Sequence, residues 1–255
     1  MTAAPDFGLD GLDPADLGSE QAESVLWAGD LKILAEHHTP DRSRSYVVAH
    51  DTSVTWGVPG SPQVAAIKVA RDLDRGTFTL ENEYHAGLPF AQAWLIERGC
   101  PPERIAVPDG MFIEPADDLT LRIEQKIREA GQRYDVLDTC TRDDGSYESW
   151  TLVRDTLADQ DPVRVFLEQG NFKAFTYTLR EGAFPDEDTA QDWLDDRSTP
   201  LPQAPEEHLD AAALRARAAL ARSTSRTGSV DACGLDQMPA PSTASVQRPG
   251  PARSL

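Results

Sequence analysis

The N-terminal half of the sequence contains residues whose types and spacing suit acid–base chemistry. His50 is followed directly by Asp51, and Glu83 lies two residues before His85. Histidine titrates close to neutral pH, and a neighbouring carboxylate can orient its ring as a general base. We therefore take His50, Asp51, Glu83 and His85 as candidate catalytic residues. The alternative is that these histidines are ordinary strand and loop residues that face solvent.

Metal binding has little support in the sequence. His37 and His38 are adjacent, and neighbours on a strand point to opposite faces, so the two rings cannot both reach one ion from regular β structure. The 3 cysteines of the chain show no Cys-x-x-Cys spacing, and no H-E-x-x-H pattern is present. We predict no metal and no cofactor. The glycine-rich phosphate loop and the G-x-S-x-G motif of hydrolases are also missing from the sequence.

An internal repeat indicates which elements must position these residues. The stretch AQAWLIER at 91–98 matches AQDWLDDR at 190–197 in Ala, Gln, Trp, Leu and Arg. Other matches occur in the same order at a nearly constant offset, which favours duplication over chance. They are Pro14-Ala15-Asp16 with Pro115-Ala116-Asp117, Ala28-Gly29 with Ala130-Gly131, Asp51-Thr52 with Asp155-Thr156, and Phe78-Thr79 with Phe175-Thr176.

Each copy has the pattern of an α+β unit. A helical pattern comes first, four runs rich in β-branched and aromatic residues follow, and a second helix carries the Trp-Leu pair. We predict a tandem α-β-β-β-β-α unit, in which two helices cover one face of a four-stranded antiparallel sheet. Trp94 and Trp193 are the expected anchors of each second helix.

The repeat sets the predicted domain boundaries. Residues 1–13 form an N-terminal extension, 14–109 the first repeat and 110–200 the second repeat. Residues 201–222 contain a short helix, and 223–255 are rich in Ser, Thr, Pro, Gly and Ala, which predicts a disordered tail. We expect the repeats to pack about a pseudo-two-fold axis. The element order is similar to half of the saddle-shaped repeat of TATA-box-binding folds, a likeness of fold only.

The net charge of −19 is distributed unevenly along the chain. Residues 1–110 contain 17 acidic and 8 basic side chains, and residues 111–200 contain 21 and 10. A surface that binds nucleic acid normally needs a basic patch, so direct binding to DNA or RNA is disfavoured unless bases cluster on one sheet face. The sequence shows no membrane span or signal peptide, and its composition is typical of high-GC bacterial genes. We expect a soluble cytoplasmic protein.

The helices that carry the Trp-Leu pair differ between the copies in one informative way. Asp192, Asp195 and Asp196 of the second helix replace Ala93, Ile96 and Glu97 of the first helix. The acidic face is either solvated or binds a partner.

The sequence favours a non-enzymatic interaction protein that binds a basic protein partner. Its strong negative charge would speed association with such a partner. A variant of this hypothesis is that the acidic double unit imitates the charge of DNA. The alternative is an enzyme or a small-ligand protein with a site on the first repeat or between the repeats.

Overall fold

The computed structural model describes residues 7–28, 30–53, 60–142 and 147–205. In these ranges the chain is a mixed α+β protein with two five-stranded sheets and four α-helices, so the predicted α+β class is confirmed. The short helix predicted within 201–222 and the tail predicted at 223–255 lie outside the described residues, apart from residues 201–205.

The described residues divide into two modules of the same element order. We call residues 7–109 the N-terminal module and residues 110–205 the C-terminal module. The elements of the N-terminal module are β1 (Asp13–Pro14), α1 (Leu17–Ala28), β2 (Leu31–His38), β3 (Arg44–Asp51), β4 (Val64–Asp72), β5 (Thr77–His85) and α2 (Leu88–Glu97). Those of the C-terminal module are β6 (Glu114–Pro115), α3 (Asp118–Arg128), β7 (Tyr134–Arg142), β8 (Glu148–Asp155), β9 (Val163–Asn171), β10 (Thr176–Phe184) and α4 (Glu187–Asp195).

The prediction of four-stranded sheets is wrong, because a two-residue strand adds a fifth strand to each sheet. The strand orders are β1-β5-β4-β3-β2 and β6-β10-β9-β8-β7, so the short strands β1 and β6 lie at one edge. Both pair in parallel, next to β5 and β10 respectively, whereas the other neighbours are antiparallel. Strands of two residues have no periodic pattern and cannot be seen in a sequence.

Matching local features support the correspondence between the modules. Aspartate caps the first helix of each: Asp16 Oδ1 accepts from the backbone N–H of Ser19 at 2.7 Å, and Asp117 Oδ1 accepts from Thr120 N–H at 2.9 Å. The first antiparallel pair of each sheet also contains a register irregularity, between Ile33 and Ala35 and between Val136 and Asp138.

One predicted match must be shifted. Pro14 pairs with Phe78 and Pro115 pairs with Tyr177, so the structure aligns Phe78 with Tyr177 rather than with Phe175. Phe175 instead corresponds to Gly76, and both have positive φ, 54° and 65°.

The helices cover both faces of the N-terminal sheet, which corrects the prediction of one covered face. Leu26 of α1 belongs to a core cluster with Val47 and Ile67, together with Phe7 and Leu9 from the predicted N-terminal extension. Trp94 and Leu95 of α2 belong to a separate cluster with Leu34, Tyr46 and Val48. Neighbouring strand residues point to opposite faces, so each face of the sheet has its own core. The open concave sheet face of a TATA-factor saddle is therefore not formed.

The two modules pack head to tail, which contradicts the predicted pseudo-two-fold arrangement. Phe90 of α2 is buried with Ile123 and Ile127 of α3 and with Phe166 of β9. Its ring meets the ring of Phe166 edge to face, with centroids 5.4 Å apart. The last helix of one module thus contacts the first helix of the next. A two-fold axis would require equivalent surfaces to meet, but α2 and α3 occupy different positions in the unit.

The exposure of α4 accounts for its polar residues. Thr189 and Asp192 of α4 correspond to Phe90 and Ala93 of α2 and are exposed. In the described part of the chain this surface of α4 is not packed against another module, and polar side chains suit an exposed helix face.

Candidate functional site

The four predicted catalytic residues do not converge in the structure. His50 pairs with Val64, and Val64 pairs with His85, so a strand separates the two histidines. Two strand spacings place them roughly 10 Å apart on one sheet face. Asp51 is the strand neighbour of His50 and points to the opposite face. Glu83 shares the face of His85 but is exposed to solvent.

The environments of the two histidines do not suit acid–base catalysis. His50 Nε2 lies 3.0 Å from Gln63 Oε1, and its ring packs beside Phe112. His85 is buried, and no described residue forms a hydrogen bond with its Nε2. Burial, with a smaller effect of the nearby Arg98 charge, lowers the pKa of His85 to about 3. The His85 ring is therefore neutral at physiological pH and is enclosed by protein.

Asp51 anchors a turn rather than a histidine. Its carboxylate accepts hydrogen bonds from Ser53 N–H at 3.0 Å and from the Tyr84 hydroxyl at 2.9 Å. Burial opposes ionisation of Asp51, but these hydrogen bonds prevail and its pKa is lowered. The corresponding Asp155 is bound by Arg133 and the backbone N–H of Leu157 at the same hairpin. Because Asp51 and Asp155 make equivalent contacts in the two modules, we assign both a structural role.

The other candidate reactive groups are also poorly suited to catalysis or metal binding. In the described ranges, no group of three His, Cys, Asp or Glu side chains is placed to hold a metal ion. Burial, with the Glu103 carboxylate, raises the pKa of the Cys100 thiol to about 11, so this thiol is not activated. The predicted partner-binding residues are all exposed: Asp192 and Asp195 lie on α4, and Asp196 follows its last residue.

A groove along the outer edge of β5 is a stronger candidate. We call it the edge groove; its volume is about 590 Å³. Residues 79–83 of β5 form its floor, beyond the point where the short strand β1 ends. Its walls are the start of α1, with Asp16, Gly18, Ser19 and Ala22, and the side of α2, with Trp94 and Arg98.

The C-terminal module fills the corresponding position with its own chain. After α4, residues 199–203 run along the edge of β10, and we call them the covering segment. Ala183 N–H donates to Pro202 O at 3.2 Å, and Gly182 forms an antiparallel bridge with Gln203. The edge of β10 is therefore paired where the edge of β5 is open.

The two tryptophans differ in the same way. Trp193 Nε1 donates to the backbone oxygen of Thr199, in the covering segment, at 3.1 Å. Trp94 Nε1 is buried and has no hydrogen-bond partner among the described residues. A buried indole N–H usually has an acceptor, so the surroundings of the two tryptophans differ in this respect. The guanidinium carbon of Arg98 lies 3.6 Å from the centroid of the Trp94 ring, and that of Arg197 lies 4.8 Å from Trp193.

Ion pairs close the C-terminal edge further. Lys126 of α3 binds Glu181 of β10 at 2.8 Å, and Arg180 lies 2.5 Å from Asp117. Asn82 corresponds to Glu181, and within the described ranges its side chain has no hydrogen bond. The edge of β5 is thus not bridged to α1 by ion pairs of this kind.

The direction of the chain after each second helix accounts for the open groove. Gly99 follows α2 with φ of 96°, and Cys100 N–H donates to Leu95 O, which is a glycine-dependent helix stop. Cys100 and Ile105 then enter the core beside Tyr46, away from β5. In the C-terminal module Ser198 stands in place of Gly99, and the chain turns towards β10.

A second cavity, of about 280 Å³, lies where the modules meet. Its polar wall is a chain of hydrogen bonds. The Tyr177 hydroxyl donates to Glu124, and Arg128 Nη1 donates to Glu124 at 3.1 Å and to Gln92 Oε1 at 3.3 Å. Gln92 Nε2 donates to the backbone oxygen of Ile105 at 2.8 Å. These groups bind one another across the junction, so they join the modules.

Glu168 is buried near the hydrogen-bonded groups of this cavity, at a position where the N-terminal module has Val69. Burial raises the pKa of Glu168 to about 8; a hydrogen bond from Tyr147 opposes the rise, and the Glu124 charge adds to it. Sequence reasoning missed Glu168, although the exchange of Val69 for a glutamate is visible once the repeats are aligned by strand.

Sequence reasoning also missed the edge groove. Trp94 was assigned only a packing role, and Gly99 was the one available signal that the chain leaves the groove uncovered.

The comparisons with known proteins add no assignment. No protein family matches this chain. No curated protein and no solved structure matches it. Within the described ranges, no helix has the length and apolar character needed to cross a membrane.

Proposed function

We propose that this chain is a non-enzymatic protein-interaction module that binds an extended segment of a partner protein in the edge groove. One observation carries the proposal: Trp193 and the edge of β10 bind the covering segment, whereas Trp94 and the edge of β5 have no such partner in the described part of the chain. A partner strand added to an open sheet edge gains backbone hydrogen bonds, and neighbouring pockets select its side chains.

The charge of the chain supports a basic partner. The N-terminal module presents Asp16 and Glu83 at the groove, and the sequence is acidic on both sides of the junction. Complementary charge would raise the rate of association and make it sensitive to salt. A variant of the proposal is that the acidic surface imitates DNA. A captured partner would then lose its DNA in a competition assay.

We also infer that the two modules arose by duplication of one ancestral unit. The shared strand order, the matching register irregularities and the paired helix caps support this inference. A duplication explains why the chain contains a filled and an open version of the same edge.

The alternative of an enzyme or small-ligand protein has less support. His50 and His85 are separated by β4, and the polar groups at the cavity between the modules are bonded to one another. We therefore place no reaction at either location.

The direct test is selection of binders from a library of random nonapeptides displayed on phage. The full chain is the bait, and selected peptides are then measured by fluorescence anisotropy. We expect binding to be lost in Asn82→Pro, because this change removes an N–H that points away from β4 and would pair with the ligand. Enriched peptides that bind Asn82→Pro as well as the unmodified chain would refute the proposal.

A matched pair of variants separates binding from folding. Trp94→Phe removes an indole N–H that has no acceptor, so it should weaken peptide binding by about tenfold without loss of stability. Trp193→Phe removes an N–H that binds Thr199, so it should cost about 1 kcal/mol of stability and leave peptide binding unchanged. The opposite pattern would contradict the assignment of the edge groove.

A further inference from the structure

The covering segment shows how an extended segment binds the sheet edge that corresponds to the edge groove. It runs antiparallel to β10, and Pro200 and Pro202 flank Leu201. Proline lacks a backbone N–H, so a segment of this kind pairs through its carbonyl groups and cannot propagate the sheet. Such a segment is already extended when free, which reduces the entropy lost on binding.

Leu201 fits the C-terminal module only because Gly182 has no side chain. A Cβ added at Gly182 would lie 2.4 Å from Leu201 Cδ1 and 2.8 Å from Leu201 Cγ. The residue that corresponds to Gly182 in the N-terminal module is Glu83. A ligand in the edge groove therefore meets the Glu83 side chain at the position where Leu201 packs against a bare glycine.

The Glu83 carboxylate forms no ion pair within the described residues. It is exposed, and it lines the groove together with Glu81 and Arg98. Arg98 and Lys68 both bind Glu81, at 3.3 and 2.7 Å. Glu83 is therefore the groove carboxylate that remains available to a basic group of a ligand.

We propose that the edge groove selects an extended segment with an arginine or lysine between two prolines, placed opposite Glu83. This inference rests on the proposed function, and it adds the chemical identity of the ligand. A basic side chain at the position of the covering segment's leucine would pair with the Glu83 carboxylate. A guanidinium can bind both oxygens of one carboxylate, so arginine should be preferred over lysine.

The inference is tested with two labelled peptides and the full chain. One peptide has the sequence of residues 197–205, Arg-Ser-Thr-Pro-Leu-Pro-Gln-Ala-Pro, and the other carries Leu201→Arg. We expect the arginine peptide to bind about tenfold more tightly at low salt and to lose most of this advantage at about 0.5 M salt.

Variants of Glu83 provide the decisive comparison. In Glu83→Gly the groove resembles the edge at Gly182, so the leucine peptide should bind better than the arginine peptide. Glu83→Gln should abolish the preference without reversing it. Asp74→Gly, an equal loss of charge in the turn before β5, is the control and should retain the preference for arginine.

The outcomes distinguish this inference from the proposed function. Equal affinity of both peptides, unaffected by Glu83 but lost in Asn82→Pro, would overturn the basic specificity and leave the groove as a binding site. Failure of both peptides to bind at about 1 mM, with no binder from the random library, would overturn both proposals.

Discussion

Thr120 accepts a hydrogen bond from the backbone N–H of Leu179, with 3.1 Å between the hydroxyl oxygen and the nitrogen. The same hydroxyl donates to Asp117 at 2.9 Å, so one side chain joins the cap of α3 to the edge of β10. Ser19 performs the same two tasks for Asp16 and Leu80 in the N-terminal module. A single hydroxyl therefore fixes the first helix to the last strand in each module.

Replacement of this hydroxyl should destabilise the C-terminal module. Thr120→Val keeps the shape of the side chain but leaves the buried N–H of Leu179 without an acceptor. We expect a loss of about 1–3 kcal/mol in the free energy of unfolding, measured by urea denaturation. Ser24→Ala is the control, because the exposed Ser24 hydroxyl bonds only within α1, and it should cost no more than about 0.5 kcal/mol.

The junction between the modules depends on Phe90. Its ring is 8% exposed and meets Phe166 of the other module, so Phe90→Ala should cost about 3–5 kcal/mol. Thr189→Ala, at the corresponding and exposed position of α4, should cost about 1 kcal/mol or less, mainly through the helix cap. Comparable losses in the two variants would show that the head-to-tail contact contributes little to stability.

The sequence could predict most elements but not their faces. β-Branched runs and the repeated Trp-Leu helix indicated eight strands and the ends of each unit, because these patterns are local. Whether α1 and α2 cover one face or two depends on tertiary packing, which no local pattern records. The strands β1 and β6 were missed because two residues carry no period.

The candidate site was even less accessible from the sequence. The histidines were predicted as catalytic because of their residue type and neighbouring carboxylates, but β4 separates His50 from His85. The edge groove is open because the chain after α2 turns away from β5 at Gly99, so this module has no counterpart of the covering segment among the described residues. The comparison of two aligned modules makes that absence visible.

His85 should limit stability in acid. Phe184 is its counterpart in the C-terminal module, and the buried Nε2 of His85 has no partner. The pKa of His85 falls from 6.5 to about 3 on folding, so the unfolded chain binds a proton that the folded chain does not. His85 therefore does not reduce the free energy of unfolding above pH 6.5, but it reduces it progressively as the pH falls from 6.5 towards 3.

His85→Phe tests this assignment. The variant should be more stable by about 1 kcal/mol at neutral pH and should lose less stability on acidification. His37→Phe, at a partly exposed position on β2, should leave the acid dependence unchanged. An identical acid dependence in His85→Phe and the unmodified chain would show that other groups determine it.

Glu168 should have the opposite dependence on pH. Its pKa rises from 4.5 in the unfolded chain to about 8 in the folded chain, so the folded protein holds a proton that the unfolded chain has released. The contribution of this group to stability is complete below pH 4.5 and is lost as the pH rises through 8. A single group of this kind changes the free energy of unfolding by at most about 1.4 kcal/mol per pH unit.

Glu168→Gln removes the titration and keeps the size of the side chain. We expect the variant to be more stable than the unmodified chain by about 1–3 kcal/mol at pH 8, and to show a flatter pH profile above pH 5, in chemical denaturation at several pH values. Glu129→Gln, on the exposed end of α3, is the matched control and should preserve the slope. Because Tyr147 can still donate to the amide oxygen of glutamine, loss of stability in Glu168→Gln at pH 8 would mean that the ionised carboxylate itself is stabilised at the junction.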